Sequence, residues 1–424
     1  MLKLFKLSAI IMMIVILFNN IAAAQPVKDT GKLQEINVEN ATMRYLAAWT
    51  ALAVYNDKLS LLARSILQEN GWLIDTINEE TQKSDIKLLL AEKQFENKTL
   101  YFLSISGTAT WKDVQTDLAV GSTVFSEVNN EILVHKGFWQ YMQDGFFSEK
   151  TFEGEPLGEK LVKNLRADKS QKIYITGHSM GGAVAELLAA KLSDMGVEKE
   201  QIEVITFGAP AVGNQAFVDT YEPKMNLTRI TMKGDPVKNL AQIANTKFVQ
   251  FSANTQWKLP PIENDKFAHE MLLYFDKAMR DYYDTIEPYT MLSLQDTDLL
   301  NNIEYIICID FDFPQEIESE KKYIRLALMD KLKHSGKKCL FMEEDKAQVF
   351  AVAKKLKARY VVFYKFGAMK QRENTSNKRY YIDEMRYVYN VDNVLVSGFN
   401  AGTDSNEMTV VQAALYTDRK IDDM

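Results

Sequence analysis

Apolar residues recur every three or four positions between about residues 41 and 70, where Tyr45, Leu46, Trp49, Leu52, Ala53 and Leu59 share one helical face. The period then shortens. Residues 100–105 form a compact apolar run that predicts a strand, ending in Ser106-Gly107-Thr108. Helical spacing returns around residues 137–144. A second strand is predicted over Ile173-Tyr174-Ile175-Thr176, followed by a small-residue helical run at 182–188. Strands are expected again at 204–207 and 229–232. A strand-like stretch at 248–251 leads into a loop with Pro260-Pro261, and a long helix is expected from about Lys266 into Tyr282-Tyr283. Strands alternating with helices imply an α/β unit with a mostly parallel, helix-covered sheet.

The pattern changes near residue 295. Strands are predicted at 304–311, 338–342 and 359–366, with helices at 317–332 and 347–357 between them. Further strands at 380–389 and 394–398 look like parts of hairpins. The chain of 424 residues therefore divides into a main unit over 25–290 and a smaller C-terminal α+β or α/β unit over 295–424. That second unit carries no motif that specifies chemistry, and its partner is left unknown.

Residues 1–24 read as a secretory signal peptide. Lys3 and Lys6 give a positive start, 7–18 is apolar, and Ala22-Ala23-Ala24 offers a cleavage site before Gln25. The expected destination is the periplasm or the extracellular space. The formal charge is −7, and removing the segment whose only charges are Lys3 and Lys6 makes it −9. Such a balance argues against nucleic acid as the main partner. The two cysteines, Cys308 and Cys339, allow either one disulfide or two buried thiols.

The most informative local pattern is Gly177-His178-Ser179-Met180-Gly181, set between a predicted strand and a predicted helix. A serine on such a turn is held in a strained conformation with its hydroxyl exposed at a helix N-terminus. There the amides and the helix dipole favour a developing anion. Ser179 is thus the candidate nucleophile.

A serine nucleophile needs a base, and four histidines compete for the role. His178 adjoins the serine and should point under the turn. His135 precedes the elbow, and His334 lies in a solvated turn of the second unit. In hydrolases of this architecture the order is serine, acid, histidine, which leaves His269. The acid should stand at a strand end between them. Asp235, in Lys233-Gly234-Asp235-Pro236-Val237, directly follows the strand at 229–232 on a tight turn. For the oxyanion, one amide donor is expected from Met180, next to the nucleophile, and another from the loop at Gly107-Thr108.

These stretches together resemble the class 3 lipases. The resemblance rests on Ser106-Gly107-Thr108 with Trp111 and Asp117, on His135-Lys136-Gly137-Phe138, and on Ile175 through Gly182. Thr206-Phe207-Gly208-Ala209-Pro210-Ala211-Val212-Gly213-Asn214, Asp235-Pro236-Val237 and Ala268-His269-Glu270 complete it. It covers roughly residues 40–285, in family order. It implies an α/β-hydrolase fold, carboxylic ester hydrolysis, the triad Ser179, Asp235 and His269, and Thr108 with Met180 at the oxyanion hole. Ser106 departs from the family, which commonly has a basic residue there.

The family's lid segment corresponds here to a short mixed stretch after Thr108. Trp111, Val114 and Leu118 form either a mobile apolar face for transient contact with a lipid interface or a fixed surface helix. Trp257 and Leu259 are candidates for an acyl groove, against ordinary loop packing. The expected activity is secreted lipase-like hydrolysis of lipid or other acyl esters, without metal or organic cofactor. A phospholipase A1-type or short-chain esterase is the alternative. A different class of reading makes the chain an envelope binding or assembly module with an accessory hydrolase domain.

Overall fold

The computed structural model describes residues 28–80, 85–95, 98–107, 121–148, 155–237, 247–290, 302–343, 345–371 and 379–422. Residues 1–24, Thr108, Trp111, Val114 and Leu118 therefore lie outside the described residues. Backbone contacts divide the chain into two units. One takes in Thr42–Leu259 and Phe267–Ala278; the other takes in Pro260–Lys266, Met279–Met424 and the part of the first helix before Thr42.

The helical pattern over 41–70 resolves into two helices, α1 (Lys28–Ala53) and α2 (Lys58–Glu69). The break between them is set by Asp57, whose carboxylate caps α2 by accepting from the Ser60 amide at 2.8 Å. Next come β1 (Leu73–Glu80), β2 (Asp85–Phe95) and β3 (Lys98–Ile105), paired antiparallel. The short strands β4 (Ser122–Val124) and β5 (Leu133–His135) lead into α3 (Lys136–Phe146) and α4 (Leu157–Ala167). The chain continues through β6 (Lys172–His178), α5 (Met180–Asp194), β7 (Ile202–Phe207), β8 (Gly213–Asn214), α6 (Gln215–Tyr221) and β9 (Asn226–Met232). It ends this unit with β10 (Phe248–Val249), β11 (Thr255–Trp257) and the start of α7 (Met271–Thr290).

Seven strands form one sheet in the order β1-β2-β3-β6-β7-β9-β11, parallel from β3 onward. β6 is buried from Ile173 to His178, as a strand covered on both faces must be, which explains its lack of polar alternation. Behind it α5 is buried almost all round, so its small residues Gly181, Gly182, Ala183 and Ala185 bring helix and sheet into close contact. The stretch near 248–251 does not join this sheet. Its Phe248–Val249 segment pairs with β8 in a separate sheet of order β10-β8-β5-β4, and β11, which was not anticipated, fills the main sheet's edge.

The second unit holds β12 (Tyr305–Asp312), α8 (Glu320–His334), β13 (Cys339–Met342), α9 (Lys346–Leu356), β14 (Tyr360–Lys370), β15 (Tyr380–Asn390), β16 (Leu395–Asp404) and α10 (Val410–Asp422). Its sheet runs β13-β12-β14-β15-β16, parallel in the first three strands and antiparallel after that. Beneath α10, Arg386 pairs with Glu384 at 3.1 Å and also with Asp418, which Lys331 contacts in turn. Both cysteines are free and buried. β12 and β13 are adjacent, but Cys339 lies opposite Tyr305, three positions from Cys308. At roughly 3.3 Å per residue along the strands and about 4.8 Å between them, that offset puts the two Cα atoms about 11 Å apart, beyond disulfide reach. Among the described residues no helix is long and apolar enough to cross a membrane, and no cluster of three metal-ligating side chains occurs.

Candidate active site

Ser179 sits between β6 and α5 with φ 58° and ψ −128°, a left-handed conformation that a residue with a Cβ adopts only at a cost. The surrounding backbone enforces it. The Ser179 amide donates to the Phe207 carbonyl at 2.9 Å, and the Ser179 carbonyl accepts from Gly182 and Ala183 at the head of α5. A Cβ on Gly177 would lie 2.4 Å from the Gly181 carbonyl carbon, and one on Gly181 would lie 2.1 Å from the Ile105 oxygen. Any side chain at either position would force helix and strands apart. The Ser179 hydroxyl is buried and makes no hydrogen bond with a described residue.

Asp235 follows β9 on a turn whose Gly234 has φ +90°. Its carboxylate is fixed at both oxygens. Oδ1 accepts from the Val237 amide at 2.8 Å, and Oδ2 accepts from the Tyr274 hydroxyl at 2.5 Å. Oδ2 also lies 2.8 Å from His269 Nδ1. Tyr274, on α7, is itself held by the Met232 amide at 2.9 Å. Burial, followed by the adjacent Asp235, pushes the Tyr274 hydroxyl well above its ordinary pKa, so it remains a donor. His269 occupies the turn just before α7, and both members of the carboxylate–imidazole pair are buried.

The strand ends converge on these groups. Gly208, directly after β7, has φ +62°, and a Cβ there would meet Asp235 Oδ2 at 2.8 Å, the Tyr274 hydroxyl at 3.0 Å and His269 Cε1 at 3.1 Å. From β3, Gly107 closes against the elbow; a Cβ would lie 2.5 Å from the His178 carbonyl oxygen and 3.1 Å from Ser179 Cβ. The Gly107 amide donates to the Tyr55 hydroxyl at 3.0 Å. Met180 is the first residue of α5, where helix amides lack intrahelical acceptors.

His178 does point beneath the turn, with Nε2 2.6 Å from the His269 carbonyl oxygen. His135 caps α3, with Nδ1 accepting from the Phe138 amide at 3.3 Å. Trp257 is buried at the end of β11 with its ring 6.3 Å from that of Phe207, and Leu259 is half-buried. Ser106 is buried with its hydroxyl 3.4 Å from that of Tyr141. Tyr45 and Trp49 are core, packed on Phe275 at 6.0 and 4.4 Å. Tyr55 and Tyr274 were not foreseen, since nothing local in the sequence marks a tyrosine that meets a strand end across the fold.

A parallel sheet carrying a strained serine between strand and helix, with a buried acid–histidine pair at the same strand ends, defines an α/β-hydrolase domain. Residues 102–244 match the model of the lipase (class 3) family. A lipase of Caenorhabditis elegans is 32% identical over 108 residues, 25% of this chain and 26% of its own length. The chloroplastic phospholipase A(1) DAD1 of Arabidopsis thaliana is 32% identical over 89 residues, 21% of this chain and 20% of its own. The chain thus spans about a quarter or less of these relatives. The crystal structure of a lipase from Rhizopus microsporus var. chinensis aligns with TM-score 0.40 and 18% identity, covering 55% of this chain and 76% of that one.

Proposed function

We propose that the protein is an exported serine hydrolase that cleaves carboxylic esters of lipids through an acyl-enzyme. The observation that carries this is the buried His269–Asp235 pair, 2.8 Å apart, at the same end of the sheet as the strained Ser179. His269 takes the proton of Ser179 as its oxygen attacks the ester carbonyl. Asp235, held in place by Val237 and Tyr274, fixes the imidazole with Nδ1 protonated and stabilises its cation. The amides of Met180 and Thr108 receive the oxyanion. His269 then protonates the departing alcohol, and water, activated by the same imidazole, cleaves the acyl-enzyme to free acid and Ser179.

The leaving group is set by the lid and groove, not by the triad. A panel of p-nitrophenyl esters of increasing chain length, emulsified triacylglycerol and phosphatidylcholine vesicles therefore ranks lipase, esterase and phospholipase A1 activities. Turnover on at least one of these that disappears in Ser179→Ala supports the reading; equal turnover by both folded proteins sinks it. The signal-peptide-like pattern of residues 1–24 supports a substrate outside the cytoplasm, and the N-terminal sequence of mature protein, expected to begin at Gln25, tests it.

A further inference from the structure

Tyr55 lies in the short turn between α1 and α2, and that turn is braced from one side chain. Arg64 Nε donates to the Ala53 carbonyl at 2.7 Å, while its Nη2 reaches the Tyr55 carbonyl and the Asn56 side chain. The phenol is thereby aimed at the elbow. Its oxygen lies 3.0 Å from the Gly107 amide and 3.1 Å from His178 Nδ1. On the far side of that ring, His178 Nε2 lies 2.6 Å from the His269 carbonyl oxygen. Three hydrogen bonds therefore link the end of β3, the elbow and the turn that carries His269.

Donor and acceptor counting gives the chain one direction. A carbonyl oxygen only accepts, so His178 Nε2 must carry a proton. Burial, and after it the neighbouring His269, hold the His178 pKa well below 6.5, so the ring is neutral and Nδ1 is bare. Nδ1 then accepts from the Tyr55 hydroxyl, and the Tyr55 oxygen accepts from the Gly107 amide. Burial raises the Tyr55 pKa as well, which keeps the phenol protonated and the chain intact.

We propose that Tyr55 and His178 are positioning residues of the hydrolase site: a one-directional hydrogen-bond relay, Gly107 to Tyr55 to His178 to His269, that sets the distance between the oxyanion loop and the catalytic imidazole. The inference rests on the serine-hydrolase reading for its kinetic consequence. A neutral His178 has a second use. Its ring centre is 4.5 Å from that of His269, so a cation there would oppose the imidazolium that forms on His269 during each transfer. The Tyr55 hydroxyl, donating to Nδ1, helps keep that ring uncharged.

Tyr55→Phe removes a single oxygen and keeps the ring. It frees the Gly107 amide and His178 Nδ1 together. Expected is a fall in kcat of about 10- to 100-fold on a p-nitrophenyl ester with KM within about threefold, since the loss falls on alignment in the transition state. A purely structural tyrosine would lower the melting temperature and leave kcat of the folded fraction unchanged, and that result overturns the proposal. The second readout needs no turnover. In the full chain labelled with 15N-histidine, four imidazoles are present, and His178, assigned with His178→Gln, should show the Nε2–H tautomer through neutral pH. Finding Nδ1–H or a cation in the wild type overturns the relay even if Tyr55→Phe does not fold. If instead the wild type shows no Ser179-dependent hydrolysis, the hydrolase reading fails while the tautomer result still decides the relay.

Discussion

Gly208 is the position where one added carbon should act most directly on the site. It has φ +62°, and its alanine variant would place Cβ 2.8 Å from Asp235 Oδ2. Ordinary van der Waals contact begins near 3.4 Å, so the carboxylate must retreat by 3.4 − 2.8 = 0.6 Å, or the glycine must leave its left-handed conformation. Either movement drags His269, whose Nδ1 is tied to the same oxygen at 2.8 Å. A misplacement of about 1 Å at a reacting group costs roughly 100-fold, so Gly208→Ala should lower kcat/KM by about 10- to 100-fold. The left-handed backbone alone should cost about 1–2 kcal/mol of stability. Gly71→Ala separates the two effects. It has φ +79° and nothing within 4 Å of the new carbon, so it should lose similar stability and keep its activity. The assay is steady-state hydrolysis of p-nitrophenyl butyrate alongside urea unfolding of all three proteins. If Gly208→Ala keeps kcat/KM within twofold of Gly71→Ala, the crowding of Asp235 does not govern catalysis and the reasoning is wrong.

Three further outcomes are expected. Tyr274→Phe removes a donor to Asp235 and strands the buried Met232 amide, so urea unfolding should show a loss of about 1–3 kcal/mol, with kcat reduced; unchanged values for both contradict the bracing role. Glu186 is fully buried beside Thr206 and 3.8 Å from Arg229, and burial pushes its carboxyl up to about 8. Between the ordinary carboxylate range and pH 8 the folded state holds a proton that the unfolded state releases, so this contribution to stability falls as pH rises through that window. Glu186→Gln should flatten the decline between pH 5 and 8, and equal slopes for the two proteins exclude the assignment. Finally, denatured, unreduced protein should give two thiols per chain with Ellman's reagent, because Cys308 and Cys339 are out of register; none would show that they pair.

What could be read from the sequence was what local geometry determines. A strand, a Gly-x-Ser-x-Gly turn and a small-residue helix force the elbow, and the order of acid and histidine picked out a pair that the fold brings within 2.8 Å. Asp235 was visible because a glycine and a proline bracket it after a strand. Edges were harder. β2, Asp85–Phe95, mixes charges with Leu88, Leu89 and Leu90 in a spacing that does not alternate cleanly, so neither it nor β1 was anticipated. The unbroken apolar period over 41–70 hid the turn that places Tyr55, although Asn56-Asp57 is a helix-start signal. Side chains that act across the fold left no local trace. Tyr274 braces Asp235 from α7, and Tyr55 reaches Gly107 over 52 residues of chain. The C-terminal unit was legible as strands and helices, but α10 was missed, and its charged pairs with Lys331 and Arg386 depend on a helix that only the fold brings to β15.

The covalent step proposed for Ser179 is the most direct target. Purified protein would be treated with a fluorophosphonate and examined by intact-mass and peptide mass spectrometry, with Ser179→Ala and His269→Ala in parallel. One phosphonyl adduct per chain on Ser179 is expected in the wild type, with none in Ser179→Ala and labelling slowed by at least about 100-fold in His269→Ala. A folded wild type that takes up no label, or takes it up equally in the Ser179→Ala variant, contradicts the assignment of Ser179 as an activated nucleophile.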